Sequence, residues 1–338
     1  MAVLVFSPGY SAPLPGRNRA ALSAVGARAG RHSARHLWSR RLVVPSSATG
    51  HVFRPDKFRL AFDILLKKGV VSRGDVAAPS KISKRDLLLV HTPAWTRKCL
   101  SGRFTAADSA RAEMKITRAV IKSHLLHAGG TVKAVELALE GGLGINCGGG
   151  SHHARAEGGA GFCLVNDLAL AARKAQKERG VKKVMIVDLD VHQGDGTAAV
   201  FKGVQPVFTF SMHQSDIYPA KKEVSSLDMD LPRGTGGAAY LRALRRSLPS
   251  ALDRFKPGLV IYLAGADVCR GDLLGGLALS SEELRRRDAY VAGLCRERKI
   301  PLAVTLGGGY RKKAADTARL HAATIRVVLD LHKIKKPA

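Results

Sequence analysis

The stretch VDLDVHQGDGT, residues 187–197, places three aspartates and one histidine directly after a run of apolar residues. The polar residues are Asp188, Asp190, His192 and Asp195. In an extended chain residues i and i+2 point to the same side, so Asp190 and His192 can hold one ion together. Charged groups at the end of a buried strand are unfavourable unless they are paired or bind a metal, so the stretch predicts a metal site. Taken alone, the same residues are equally typical of helix caps and turns.

Polar side chains also follow four other predicted strands. They are Ser211 and His213 after VFTF, Asp267 after LVIYLAG, Tyr310 after LAVTL and three glycines, and His152 and His153 after GLGINC and a glycine-rich turn. Open α/β sheets bind ligands beyond the carboxyl ends of their strands. We therefore expect these side chains to meet those of residues 187–197 at one edge of the sheet.

Asp190, His192 and Asp267 can supply three protein ligands and leave one coordination position open. Such a set fits a catalytic divalent metal, with Zn²⁺ as the first choice. Fe²⁺ is an alternative, because the order of affinities alone does not decide which metal is bound.

The adjacent histidines His152 and His153 lack the i,i+4 spacing of a helical zinc site, and we interpret them as acid/base groups. A histidine that is oriented by a carboxylate has a defined tautomer and can transfer a proton near neutral pH. Asp188 and Asp195 are the two carboxylates available for this purpose. Tyr310, presented by a glycine turn, can polarise a carbonyl and stabilise an oxyanion beside a metal.

Helical and strand-like patterns alternate along the chain after residue 51. Helical spacing of apolar residues covers 56–69, 129–142, 167–180 and 282–299, and Asp167 is the expected cap of the third helix. Short apolar runs lie at 142–147, 182–187, 205–213, 258–267 and 300–310. The alternation predicts a three-layer α/β/α fold with a mainly parallel central sheet that is covered on both faces.

The 338 residues carry a formal net charge of +28, which favours electrostatic contact with nucleic acid or acidic proteins. The alternative is that Arg and Lys only coat the helices, since no basic run alternates with aromatic residues. No apolar run approaches the roughly 20 residues of a membrane span. The five cysteines form no CxxC pair, which indicates free thiols and a reducing intracellular compartment.

Residues 1–55 contain eight arginines and no acidic residue. The composition of residues 16–50 is typical of an organellar transit peptide, of an unstructured basic insertion or of a mispredicted exon. A transit peptide predicts a mitochondrial or chloroplast protein, whereas an insertion predicts a protein of the cytoplasm or nucleus.

Five motifs resemble those of the zinc-dependent histone deacetylase family, which has the arginase–deacetylase fold. The motifs are GGGSHHA (148–154), GFCLVND (161–167), DLDVHQGDGT (188–197), YLAGAD (262–267) and LGGGY (306–310). The resemblance covers about residues 51–330 and is greatest to the class IV branch and its bacterial relatives. Residues 1–15 resemble the family's first strand, so that 16–50 look inserted ahead of a catalytic domain of residues 51–332.

The resemblance implies a role for each of the residues singled out above. Asp190, His192 and Asp267 match the zinc ligands, and His153, backed by Asp195, matches the general base and acid. His152, backed by Asp188, matches an electrostatic partner, and Tyr310 matches the residue that polarises the substrate carbonyl. Gly161, Phe162, Tyr218 and Gly308 match the acyl-lysine channel. A structural K⁺ site is implied at Asp188, Asp190, His192, Ser211 and Met212.

The implied activity is hydrolysis of the amide of N-acyl-lysine in histones or in other proteins and peptides. Hydrolysis of acetylpolyamines or other small amides is an alternative, because the loops around the channel decide substrate choice. Two further alternatives are an arginase-like two-metal hydrolase, which the DxDxH order disfavours, and a polyanion-binding protein without enzymatic activity.

Overall fold

Eight strands form one sheet in which every pairing is parallel. The computed structural model describes residues 3–11 and 51–333. In this part of the chain the strands are β1 (Leu4–Val5), β2 (Val76–Ala77), β3 (Leu143–Asn146), β4 (Val184–Asp188), β5 (Val207–Gln214), β6 (Leu227–Leu231), β7 (Leu259–Leu263) and β8 (Leu302–Thr305). Their order across the sheet is β2-β1-β3-β8-β7-β4-β5-β6. The prediction of a mainly parallel sheet is confirmed.

The central strands are apolar along almost their whole length, as expected for strands buried on both faces. β4 reads Val-Met-Ile-Val-Asp and lies between β7 and β5, with Val187 opposite Tyr262 on one side and Phe210 on the other. Because these strands run in the same direction, the residues that follow β3, β4, β7 and β8 all emerge at one edge of the sheet.

Ten α-helices in the described residues flank the sheet. They are α1 (Asp56–Lys67), α2 (Lys84–Leu87), α3 (Pro93–Ser101), α4 (Ala106–Arg111), α5 (Arg118–Gly141), α6 (Asp167–Arg179), α7 (Asp195–Phe201), α8 (Gly237–Phe255), α9 (Ser281–Glu297) and α10 (Ala314–Lys333). The helices predicted over 56–69, 167–180 and 282–299 are confirmed as α1, α6 and α9, with small differences at the ends.

Two details of the helix prediction are wrong. The helix predicted to begin at residue 129 begins at Arg118, and Gly129 and Gly130 lie inside it. A Cβ at either glycine would come 2.0 Å from Ser80 O or from Tyr10 Oη, so close packing rather than a helix end requires them. The cap of α6 is Asn166, whose side chain accepts a hydrogen bond from Ala169 N, and not Asp167.

Apolar side chains pack against both faces of the sheet. Along β4, Met185 and Val187 belong to the cluster that contains Phe58 and Leu65 of α1. The alternate residues Val184 and Ile186 belong to a second cluster, which contains residues of α5 and α6. Each face is therefore covered by helices, and the predicted three-layer α/β/α fold is confirmed.

The amino-terminal strand β1 lies between β2 and β3, where Leu4 is opposite Val76 and Ile145. Residues 16–50, interpreted above as an insertion or a transit segment, lie outside the described residues. Among the helices that the structure describes, none is long and apolar enough to cross a membrane. All five cysteines are buried free thiols.

Candidate active site

Polar residues that follow β4 and β7 converge on a buried site at the carboxyl end of the sheet. Asp190 and His192 follow β4, and Asp267 follows β7. One ligand atom from each of the three lies within 4.8 Å of the other two. His192 Nδ1 is 3.1 Å from Asp190 Oδ1 and 3.5 Å from Asp267 Oδ2. The structure thus assembles the three residues predicted as metal ligands, and all three are buried.

The chemistry of this triad and the space that it encloses fit a divalent metal. Asp267 Oδ2 is buried and accepts no hydrogen bond from the described residues, which is unfavourable unless a cation contacts it. A Cβ at Gly308 would come 1.8 Å from that oxygen and 2.5 Å from Asp190 Oδ2, so the space depends on glycine. Two carboxylates and one imidazole are suitable ligands for Zn²⁺ or Fe²⁺.

The electrostatics of the two carboxylates point in the same direction. Burial and the neighbouring charge of Asp190 raise the pKa of Asp267 to about 7. Burial opposes ionisation of Asp190 as well, but His152 and His192 outweigh it and hold the pKa of Asp190 well below its usual range. Two buried carboxylates this close repel each other when both are charged, so a cation between them would stabilise the arrangement.

Two carboxylate–histidine pairs lie beside the triad. His152 Nδ1 donates a hydrogen bond to Asp188 Oδ2 at 2.7 Å, and His153 Nδ1 donates to Asp195 Oδ1 at 2.6 Å. The two imidazole centroids are 4.0 Å apart. Each predicted carboxylate therefore contacts a histidine through Nδ1, which leaves Nε2 of both rings available to other groups.

The two histidines have opposite protonation preferences. At His152 burial favours the neutral ring, but the charges of Asp188 and Asp190 outweigh it and raise the pKa to about 9. At His153 burial and the charge of the neighbouring His152 lower the pKa to about 4. At neutral pH His153 can therefore accept a proton, whereas His152 carries a positive charge.

The backbone of the turn that carries Tyr310 is held by two polar residues that were not identified from the sequence. Lys57 is fully buried, and its Nζ donates to the carbonyl oxygens of Gly307 and Gly309 at 2.9 and 3.2 Å. Asp272 Oδ2 accepts a hydrogen bond from Tyr310 N at 2.6 Å. Burial and nearby carboxylates raise the pKa of Tyr310 well above its usual range, so the phenol remains a hydrogen-bond donor.

Aromatic residues surround the approach to the histidines and Tyr310. Phe162 has φ +64°, a left-handed conformation that a bulky residue rarely adopts and that marks local strain. Its ring centroid is 6.1 Å from that of Tyr310, and the Tyr218 ring lies edge-to-face with His153 at 4.8 Å. Of the predicted channel residues, Gly161, Phe162 and Gly308 line the same cavity as His153 and Tyr310.

The residues predicted to hold K⁺ lie at the end of β4, just after it, and on the adjacent part of β5. Asp188 is paired with Ser211 in the parallel register, and Met212 follows as a fully buried residue. Asp188 Oδ1 accepts a hydrogen bond from Asp190 N at 3.1 Å. Ser211 Oγ is 3.0 Å from His213 Nδ1. These residues are therefore neighbours, beside the metal triad rather than apart from it.

Two further residues that support the paired histidines were not identified from the sequence. Asp167, expected as a helix cap, instead accepts hydrogen bonds from Gly150 N and Ser151 N at 2.9 and 2.6 Å, which fixes the turn before the histidines. Arg155 Nη2 donates to Asp195 Oδ2 at 2.9 Å. An aspartate at a helix start and an arginine in a loop carry no local signal of such contacts.

Comparison with known proteins identifies the family. The model of the histone deacetylase domain matches residues 51–326. An uncharacterised protein of Picosynechococcus sp. is 40% identical over 282 residues, which cover 83% of this chain and 94% of that protein. Histone deacetylase 2 of Arabidopsis thaliana is 34% identical over 275 residues, which cover 78% of this chain and 71% of that protein. The chain therefore belongs to the histone deacetylase family.

A more distant relative and a solved structure are also similar to this chain. A histone deacetylase-like amidohydrolase of Pseudomonas aeruginosa is 28% identical over 284 residues, covering 79% of this chain and 74% of that protein. The crystal structure of the HDA15 HD domain matches with a TM-score of 0.73 at 23% identity, over 99% of this chain and 91% of that one. The structural likeness supports the three-layer fold, and family membership makes the chain a hydrolase of the deacetylase class, as predicted.

Proposed function

We propose that the protein hydrolyses the amide bond of N-acyl-lysine in protein or peptide substrates, with Zn²⁺ held by Asp190, His192 and Asp267. The observation that carries the proposal is that the triad and the two carboxylate–histidine pairs lie side by side, and that Asp190, His152, His153 and Tyr310 line one cavity. Membership of the histone deacetylase family supports the same reaction class.

A divalent ion at the triad would polarise the amide carbonyl and lower the pKa of water. The hydrogen-bond-free oxygen of Asp267 and the space beside Gly308 support this placement, and Fe²⁺ would suit the same ligands. We propose a structural K⁺ where the end of β4 lies beside Ser211 of β5, held partly through backbone carbonyl groups. Its proposed ligands are Asp188, Asp190, His192, Ser211 and Met212.

His153 is the proposed general base and then the general acid. Its low pKa keeps the ring neutral, and the bond from Nδ1 to Asp195 leaves Nε2 as the proton acceptor. Nε2 takes a proton from the attacking water and later transfers it to the leaving lysine amine. Burial favours the neutral form of Asp195, but His153 and Arg155 outweigh it and lower the pKa, so the carboxylate stabilises the imidazolium.

His152 and Tyr310 are proposed to stabilise the charge that develops during attack on the carbonyl. The His152 ring, which Asp188 holds through Nδ1, is the proposed source of positive charge, and the protonated Tyr310 hydroxyl is the proposed hydrogen-bond donor. Gly161, Phe162, Tyr218 and Gly308 are the proposed walls for the aliphatic stem of the substrate lysine.

Tyr310→Phe tests this proposal, because it removes the hydroxyl and keeps the ring. We expect kcat on acyl-lysine peptides to fall on the order of 10²- to 10³-fold while the metal content stays unchanged. Tyr290→Phe, on helix α9, is the matched control and should retain activity, because the Tyr290 ring faces Arg245 of α8.

An acyl-length series on peptides and on acetylpolyamines completes the experiment. Absence of turnover on acyl-lysine by metal-loaded wild type would contradict the proposal, and turnover of acetylpolyamines alone would favour a small-amide hydrolase. Two bound divalent ions per chain would favour an arginase-like mechanism instead.

A further inference from the structure

The carboxylate that orients His153 uses only one of its two oxygen atoms for that purpose. The other oxygen, Asp195 Oδ2, accepts a hydrogen bond from Arg155 Nη2 at 2.9 Å. The Asp195 side chain is 3% exposed, whereas that of Arg155 is 31% exposed. Arg155 therefore connects the buried pair to a position that solvent reaches.

The same guanidinium binds a second carboxylate. Arg155 Nη1 donates to Glu223 Oε1 at 2.8 Å. The backbone of Glu223 is itself fixed, because its N donates to Gln193 Oε1 at 2.8 Å and its carbonyl accepts from Gln193 Nε2 at 2.7 Å. Gln193 is buried and lies between His192 of the metal triad and Asp195 in the chain. Glu223 is thus a firm attachment point rather than a freely moving surface acid.

Glu223 ends a compact segment, residues 217–223, which we call the wall loop. Lys222 Nζ donates to the carbonyl oxygens of Ile217 and Pro219 at 2.5 and 2.8 Å and so closes the loop on itself. Between them lies Tyr218, whose ring packs edge-to-face on His153. A contact that fixes Glu223 therefore restrains Tyr218 as well.

We propose that Arg155 is a positioning residue that clamps the wall loop to the Asp195–His153 pair. A planar guanidinium presents N–H groups to two carboxylates at once, which one ammonium group cannot do with the same geometry. Its inner arm, to Asp195, maintains the orientation of the base His153. Its outer arm, to Glu223, maintains the position of Tyr218 at the channel.

The role rests on the proposed acyl-lysine hydrolysis, and the two arms predict different kinetic effects. Arg155→Gln removes both arms, and we expect kcat to fall on the order of 10- to 100-fold, as when a partner behind an active-site histidine is removed. Glu223→Gln removes the charge of the outer arm only, and we expect KM to rise several-fold with kcat within about two-fold of wild type.

Arg111→Gln is the matched control. Arg111 is 56% exposed and its Nη2 also donates to a buried aspartate, Asp108, at 2.8 Å, and no hydrogen bond among the described residues joins this pair to Asp195 or Glu223. We expect its kcat and KM to match those of wild type. The clamp is overturned if Arg155→Gln changes kcat no more than Arg111→Gln does, or if Glu223→Gln lowers kcat as much as Arg155→Gln.

Chemical rescue separates positioning from a general folding defect. Because Arg155 is partly exposed, millimolar guanidinium should enter the space left by Arg155→Ala and restore part of kcat, whereas sodium chloride at equal ionic strength should not. Rescue by both salts equally, or by neither, would count against the clamp.

Hydrogen–deuterium exchange tests the clamp without any catalytic readout. In Arg155→Gln we expect faster exchange in the wall loop and unchanged exchange at residues 105–111, with the reverse in Arg111→Gln. Unchanged exchange in the wall loop would overturn the clamp even in an active enzyme. Absence of turnover in wild type, with faster exchange in Arg155→Gln, would overturn only the proposed reaction.

Discussion

His152 and His153 are neighbours in the chain, and each donates through Nδ1 to a buried aspartate at nearly the same distance. Their pKa values nevertheless lie on opposite sides of the ordinary value, at about 9 and about 4. The hydrogen-bond geometry of the two pairs is the same. The difference in pKa must therefore come from the charged groups that surround each histidine–aspartate pair.

The charged groups around the two pairs differ in sign. His152 Nε2 is 3.8 Å from Asp190 Oδ1, so a second carboxylate supports its cation. His153 faces the His152 cation, and its own partner Asp195 is already bound to Arg155. In the proposed reaction, these different surroundings would make one pair stabilise charge and the other transfer protons.

The largest expected effect comes from replacing each ring by a neutral amide. His153→Gln should lower kcat about 10³- to 10⁴-fold, because the proton acceptor is lost. His152→Gln removes only a nearby charge, and we expect a loss of about 10- to 100-fold. Steady-state kinetics with equal metal content measures both. Equal losses would show that the two rings share one role.

Replacing the two carboxylates that bind these histidines should give smaller effects in the same order, with the partner of His153 again the more important. Asp195→Asn leaves His153 without an anionic partner, and we expect kcat to fall about 100-fold. Asp188→Asn lowers the pKa of His152, and we expect a fall of about 10-fold. The matched measurement is kcat at neutral pH for both variants, and a larger loss for Asp188→Asn would reverse the assignment of base and electrostatic partner.

Side-chain ¹⁵N NMR of the metal-free protein measures the comparison directly. At pH 7 the His152 ring should carry a proton on both nitrogens, and the His153 ring should be neutral with its proton on Nδ1. The titration midpoints should lie near the values of about 9 and about 4. Substituting His152 or His153 by asparagine or glutamine removes the ring signals of that residue and so assigns them. Titration midpoints within one pH unit of each other would contradict the different protonation states of His152 and His153.

The last prediction concerns stability, which the two histidines should lower at opposite ends of the pH range. The raised pKa of His152 stabilises the metal-free protein below about pH 6.5, and this contribution is lost as pH rises through about 9. The lowered pKa of His153 gives a contribution that is present above about pH 6.5 and is lost as pH falls through about 4. Each amounts to about 3 kcal/mol at most.

Urea unfolding of metal-free wild type, His152→Gln and His153→Gln across this range measures these contributions. We expect His153→Gln to flatten the acid side of the stability profile and His152→Gln to flatten the alkaline side. If both variants flattened the same side of the pH profile of unfolding free energy, the opposite pKa shifts would be contradicted.

Several features of the site followed from the sequence because strand ends are local signals. Asp190, His192 and Asp267 were predicted together, since parallel strands bring the residues after them to one edge. Lys57 could not be found in this way, because it lies on α1 and contacts Gly307, 250 residues further along the chain. Asp167 was misread as a cap, because its position at a helix start is the commoner reason for an aspartate there.

By itself the sequence determined the parallel α/β architecture and the set of side chains that meet at the carboxyl edge of the sheet. Both depend on periodicity and on the residues directly after apolar runs, which are properties of short stretches. Only the tertiary structure decided which histidine is charged, which loop Arg155 holds and how Lys57 supports the Tyr310 turn. Those outcomes depend on burial and on charges a few ångströms away in space, which come from distant parts of the chain.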